Sequence, residues 1–198
     1  MTMPFDPDKH RRRSIRLRGF DYASPGGYFV TICAWRKACL FGDIVDHAVR
    51  LNEFGLAVAQ AWRDLPNHYP HITLDEFVVM PDHVHGIVFL LDEDDSIVIG
   101  AGPVVVGAGR RPAPTTTTTP PAPTGSARHP LSEIVRAFKS FSARRINTLR
   151  GTAGVPVWQR NYWEHVVRDN ADLARIRAYI RRNPTQWTDD ERHAAQSH

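Results

Sequence analysis

A chain of 198 residues, 42% of them hydrophobic, can bury one core without disulfides, and its two cysteines, Cys33 and Cys39, have no zinc-type spacing with a second pair. Lys and Arg outnumber Asp and Glu by 25 to 21, a net charge of +4; the cations are bunched at Arg11 to Arg18, Arg136 to Arg150 and Arg175 to Arg182, with acids such as Asp92 to Asp95 between them. No apolar run approaches the roughly twenty residues of a membrane span, and the arginine-rich start lacks a signal-peptide hydrophobic region, so a membrane protein is not expected.

Residues 1–22 read as a basic arm that ends in a turn at Ser24-Pro25-Gly26-Gly27, and Tyr28 to Ala34 is a predicted strand. Leu51 to Leu65 is helical in pattern, with Leu51, Phe54, Val58, Ala61, Trp62 and Leu65 on one face and Pro66-Asn67 closing it. Thr73 to Met80 and His83 to Leu91 form a strand pair interrupted by Pro81-Asp82. Residues 92–129 are rich in Gly, Pro and Thr, with five consecutive threonines; such a segment cannot bury a core and is expected to be a disordered or extended insert within a single domain spanning 1–198. Leu131 to Arg150 is a second helix, apolar along Leu131, Ile134, Val135, Phe138, Phe141 and Ile146, and wet along Arg136, Lys139, Arg144 and Arg145. Val155 to Trp158 and Tyr162 to Val167 follow as short strand candidates. Asp169-Asn170-Ala171-Asp172 starts a last helix, Leu173, Ile176 and Ile180 form its buried stripe, and Pro184 is where it should stop. The order strand, helix, strand, strand, helix, strand predicts an α+β fold: a ferredoxin-like antiparallel sheet with helices packed on it and an added C-terminal helix.

His83 and His85, two apart on a strand, project from one sheet face and make a ready pair of metal ligands. Two histidines in a half-buried strand are also readable simply as hydrogen-bonded polar residues at a sheet edge. Asp82 is adjacent, but strand alternation points it to the opposite face. Tyr179 and Asn183 are four apart on the last helix and share a face, ringed by Arg175, Arg177, Arg181 and Arg182, a charge pattern that suits an anionic ligand. A tyrosine beside an apolar stripe also reads as plain packing. Brought together, these residues make one chemistry possible. A tyrosine hydroxyl can attack a phosphodiester and conserve its bond energy in a phosphotyrosine; with a pKa of about 10 it needs help, which a divalent cation on His83 and His85 supplies, with the Asn183 carboxamide as a third ligand.

Several runs then carry a resemblance: Met80-Pro81-Asp82-His83-Val84-His85, Trp158-Gln159-Arg160-Asn161-Tyr162-Trp163-Glu164-His165 and Tyr179-Ile180-Arg181-Arg182-Asn183-Pro184, with Arg11 to Tyr22, Tyr28 to Cys33 and Leu40-Phe41-Gly42 before them. In this order they resemble the REP-associated tyrosine transposases of the HUH single-tyrosine superfamily, from about Arg12 to Trp187 apart from the insert. The resemblance implies Tyr179 as nucleophile, His83 and His85 as ligands of Mg²⁺ or Mn²⁺, and Asn183 as a further metal-side group whose side chain is shorter than the glutamine some relatives carry there. It implies single-stranded hairpin DNA as substrate and a 5′-phosphotyrosine intermediate, in a monomer or homodimer, the tyrosine helix coming from the same subunit or from a partner.

The three basic stretches suggest a groove that follows a phosphate backbone. Arg12, Arg13, Arg16, Arg18 and Arg182 are candidate phosphate contacts, and Trp158, Gln159, Tyr162, with Phe20, Tyr22 and Trp163, are candidate base contacts. His165 is a candidate acid-base or orienting group. A cytoplasmic, nucleoid-associated protein is expected. Two other classes fit the same residues: a nucleic-acid-binding module without chemistry, and a metal-dependent hydrolase that forms no covalent adduct.

Overall fold

The computed structural model describes residues 20–92 and 129–187, and the backbone alone at 98–99 and 102–103. Arg12, Arg13, Arg16 and Arg18 of the basic arm, and most of the 92–129 insert, lie outside the described residues. In chain order the elements are β1 (Gly26–Cys33), β2 (Gly42–Val45), β3 (Ala48–Leu51), α1 (Glu53–Arg63), α2 (Leu65–His68), β4 (Ile72–Val79), β5 (His83–Leu90), β6 (Val98–Ile99), β7 (Gly102–Pro103), α3 (Leu131–Leu149), β8 (Trp163–Val166) and α4 (Asn170–Gln186). The main sheet runs β4-β5-β1-β8 with every neighbouring pair antiparallel. With α1 and α3 as the connections this is the expected ferredoxin-like split βαβ unit.

Side-chain alternation divides the sheet into two faces. Tyr28, Val30 and Ile32 of β1 and Val84, Val88 and Leu90 of β5 join one core with α1 and α3, where Trp62 stacks on Phe77 at 4.7 Å and meets Phe138 edge-on at 5.3 Å. Phe29, Ile87 and Phe89 point the other way and are covered by Leu173, Ile176 and Ile180 of α4, each burial worth roughly 1.5–3 kcal/mol. The stripe read from α4 is therefore the one that packs. Asn52 caps α1 by accepting from the Phe54 and Gly55 amides, and Asp169 caps α4 by accepting from Asp172 N at 2.7 Å.

Gly86 belongs to the helix-side face, and a Cβ there would come within 2.4 Å of the Trp62 ring, itself held by Phe77 and Phe138. Gly86→Ala is expected to lower stability by about 1–3 kcal/mol through overpacking, read as a reduced midpoint in urea unfolding.

Some expectations are corrected. Pro66 does not close a helix reaching Leu65: α1 ends at Arg63, and Pro66 sits at the start of α2, where its missing N–H costs nothing. Pro184 lies inside α4, which runs on to Gln186, because a proline in the last turn removes one bond but leaves the preceding turns intact. Val155 to Trp158 is not a strand; Trp158 alone makes a bridge, to Ala34. The hairpin β2–β3 escaped the sequence reading. Its two-residue turn, Asp46-His47, has φ of 50° and 62°, the double left-handed conformation of tight hairpins, without the glycine that usually announces it. Within the insert, β6 pairs with β7. Among the described residues no helix is long and apolar enough to cross a membrane.

Candidate active site

The face of the sheet under α4 holds both histidines. Thr31 of β1 lies opposite His85 in register, and its Oγ1 is 2.8 Å from His85 Nδ1. The His83 ring donates Nδ1–H to Asp82 Oδ1 at 2.5 Å. Asp82 thus faces the site rather than the opposite surface: β5 begins at His83, so Asp82 belongs to the turn and strand alternation does not govern it. With their Nδ1 atoms engaged, the two rings turn Nε2 toward each other, 3.0 Å apart. His85 is only 4% exposed, and burial, with His83 beside it, pushes its pKa down to about 3, so the imidazole is neutral, the form that can offer a nitrogen lone pair to a cation. Among the described residues no cluster of three His, Cys, Asp or Glu side chains has metal-binding geometry.

α4 of the same chain brings Tyr179 to this pair. The hydroxyl is 3.4 Å from His85 Nε2, and the ring meets His85 and Phe29 edge-on at 5.2 and 6.1 Å while remaining 42% exposed. Asn183 follows one turn later, half-buried, its carboxamide free of hydrogen bonds among the described residues. Trp187, just past α4, lies 5.9 Å from the His83 ring, and the half-open Trp163 of β8 meets Phe29 at 5.5 Å. Neither Thr31 nor Trp187 carried a sequence signal, since each depends on which strands and ends become neighbours.

The arginines of α4 are mostly not a free anion-binding rim, which corrects the sequence reading. Arg177 makes a bidentate pair with Asp75 at 2.7 and 2.5 Å, Arg181 pairs with Glu76, and Arg175 with Asp172 at 2.5 Å. Burial pushes the Asp75 carboxyl up, but the hydrogen bonds from Arg177 and the Glu76 amide outweigh it and hold the pKa below the ordinary value. Arg182 is exposed, bonded to the Ala178 carbonyl and, among the described residues, to no carboxylate. His165 Nε2 bonds Asp172 Oδ2 at 2.8 Å and so ties β8 to the start of α4.

Trp158 and Tyr162 are on the other side of the sheet. Trp158, 7% exposed, packs on Phe41 and Phe138 and donates its indole N–H to Ser142 Oγ at 2.9 Å; it is a core residue, with no face open to a base. Tyr162 packs half-buried against the same core, under the Lys139 ammonium at 5.3 Å. Lys139 is likewise not on a wet face: its Nζ donates to the carbonyls of Gln159, Arg160 and Asn161 at 3.1, 3.3 and 3.1 Å and pins that loop. The Gln159 amide bonds the Cys33 carbonyl.

No family model matches the chain. A Haemophilus influenzae protein described as uncharacterized is 35% identical over 194 residues, covering 96% of this chain and 98% of that one. A second protein of the same organism, named "Putative REP-associated tyrosine transposase", is 27% identical over 166 residues, 84% of this chain and 74% of its own. Among solved structures, a REP-associated tyrosine transposase bound to a REP hairpin aligns over 88% of this chain and 76% of its own with a TM-score of 0.52 and 19% identity, a likeness of fold.

Proposed function

The chain belongs to the REP-associated tyrosine transposases, and on that premise we propose that it nicks and joins single-stranded hairpin DNA through a bond between Tyr179 and a 5′ phosphate, assisted by Mg²⁺ or Mn²⁺ on His83 and His85. The observation that carries this reading is the convergence of three groups from two distant parts of the chain: the Tyr179 hydroxyl of α4 3.4 Å from His85 Nε2 of β5, and that atom 3.0 Å from His83 Nε2. The donor set suits a divalent cation. Two nitrogens each about 2.1 Å from one ion, at roughly a right angle, stand about 3 Å apart. A cation bound there would polarise the phosphodiester and stabilise charge on the departing 3′ oxygen.

The residues of the chain do the rest. Asp82 and Thr31 hold the two imidazoles by their Nδ1 atoms, so that both Nε2 atoms stay aimed at the same point. The Asn183 carboxamide, one turn beyond Tyr179, is available as a further oxygen ligand, and the exposed Arg182 as a phosphate contact. The Tyr179 hydroxyl gives up its proton and its oxygen bonds to phosphorus. The phosphorus–O3′ bond breaks and the 3′ oxygen takes a proton. Attack by another 3′-hydroxyl reverses these steps and frees the tyrosine, so one phosphoester is exchanged for another and no nucleotide is consumed. In this reading Tyr179 acts with the histidines of its own chain, a reading supported by the packing of α4 on Phe29, Ile87 and Phe89.

The test is incubation of the protein with labelled single-stranded hairpin DNA and Mg²⁺ or Mn²⁺, followed by denaturing electrophoresis. A denaturation-resistant protein–DNA band is expected. Cleavage without a band would favour a hydrolase, and binding alone a module without chemistry. A further expectation concerns Asp82: Asp82→Ala, which leaves the His83 ring unanchored, should weaken Mn²⁺ binding about 10–100-fold in calorimetric titration while leaving the ligands themselves in place.

A further inference from the structure

We propose that Asp75 and Glu76 of β4 are positioning residues for the nucleophile, acting through Arg177 and Arg181 to set where Tyr179 lies over the histidines; this rests on the reading of Tyr179 as the attacking group. β4 pairs regularly with β5 except at one place. Leu74 lies opposite Val88 and Phe77 opposite Gly86, so Asp75 and Glu76 together face the single residue Ile87. In an unbroken strand two successive side chains point to opposite faces. The bulge lets both carboxylates pair with α4.

Their partners are placed symmetrically about the nucleophile. Arg177 and Arg181 stand two residues before and two after Tyr179 and are one helix turn apart, so both lie along the same edge of α4. The apolar stripe of Leu173, Ile176 and Ile180 already holds this helix to the sheet, but apolar contact has no direction and leaves rotation and sliding weakly defined. A bidentate guanidinium–carboxylate pair fixes both, because its two parallel hydrogen bonds, at 2.7 and 2.5 Å here, hold in one relative orientation only. Arg177 and Asp75 are also shielded, their side chains 31% and 17% exposed, whereas Arg181 and Glu76 at 64% and 28% form the looser outer member. The sensitivity of the reaction to such placement is high, since an error of about 1 Å in a reacting group can cost on the order of 100-fold in rate.

The experiment measures covalent adduct formation by the full chain in single turnover at saturating hairpin DNA, with hairpin affinity, Mn²⁺ affinity and thermal unfolding recorded on the same samples. Asp75→Asn should slow adduct formation roughly 10–100-fold, with both affinities within about threefold of the unaltered chain. Glu76→Gln should slow it less, by about three- to tenfold, as expected for the more exposed pair, and the exchange Glu76→Arg with Arg181→Glu should restore most of that loss. Should Asp75→Asn unfold, the outer pair and its exchange decide the matter alone. Unchanged rates, a parallel fall in rate and hairpin affinity, or an exchange that restores nothing would each overturn the proposal. Absence of adduct from the unaltered chain would instead remove the nucleophile reading, and this proposal with it.

Discussion

Tyr179→Phe is expected to abolish the covalent protein–DNA adduct while hairpin binding stays within about threefold and stability within about 0.5 kcal/mol. The phenylalanine ring keeps the edge-on contacts with His85 and Phe29 and gives up a hydroxyl whose one hydrogen-bond contact among the described residues is the 3.4 Å approach to His85 Nε2. The side chain is 42% exposed, and the buried His85 Nε2 that loses the hydroxyl keeps His83 Nε2 beside it at 3.0 Å. A residue that served packing alone would therefore be replaced at almost no cost, and every activity of the protein would survive. A nucleophile has no substitute: the adduct requires the oxygen that the variant lacks, and the rate of strand cleavage should fall by on the order of 10⁴-fold or more. Denaturing electrophoresis of the two proteins on one labelled hairpin separates the cases. Cleavage by the phenylalanine variant at the original rate would mean that water, not the chain, attacks phosphorus.

The parts of this site legible in the sequence are those written in local periodicity. His83 and His85 share a face because a strand has period two, and Leu173, Ile176 and Ile180 share one because a helix has period 3.6; neither statement needs tertiary information. The strand and helix order was enough for the ferredoxin-like sheet. What could not be read depends on long-range neighbours or on breaks in the periodicity. Thr31 meets His85 only because β1 lies beside β5 in that register. Asp82 turns to His83 because it is in a turn, where alternation fails, and Asp75 and Glu76 both pair with α4 because a bulge interrupts their strand. Arg177 and Arg181 of α4 looked like part of an anion-binding rim for the same reason: their carboxylate partners, Asp75 and Glu76, are about a hundred residues away in sequence. Trp158 shows the complementary failure. A motif supplies residue types in order, and only the fold tells that its aromatic side chain fills the helix-side core while Tyr179 opens on the other face.

Replacement of either histidine by alanine should remove both Mn²⁺ binding and the adduct, the second by at least about 1000-fold. The two imidazoles are the nitrogen donors of the pair, and one alone leaves a cation with a single protein nitrogen; no third His, Cys, Asp or Glu completes a cluster with them among the described residues. Both variants also leave a buried group without its partner: His83→Ala takes the ring donor from the 5% exposed Asp82 carboxylate, and His85→Ala empties a site only 4% exposed and strands the Thr31 hydroxyl, each at a cost of about 1–3 kcal/mol. Thermal unfolding recorded beside the Mn²⁺ titration distinguishes lost ligation from lost structure. Chelation of the unaltered chain with EDTA should reproduce the catalytic defect of both, with no change in hairpin contacts made away from the histidines. Tyr179→Phe completes the comparison from the other side, because it should bind Mn²⁺ as the unaltered chain does and still form no adduct. A His85→Ala protein that stays folded and retains full Mn²⁺ affinity would place the cation elsewhere, and the 3.0 Å approach of the two Nε2 atoms would then be a hydrogen bond between neutral rings.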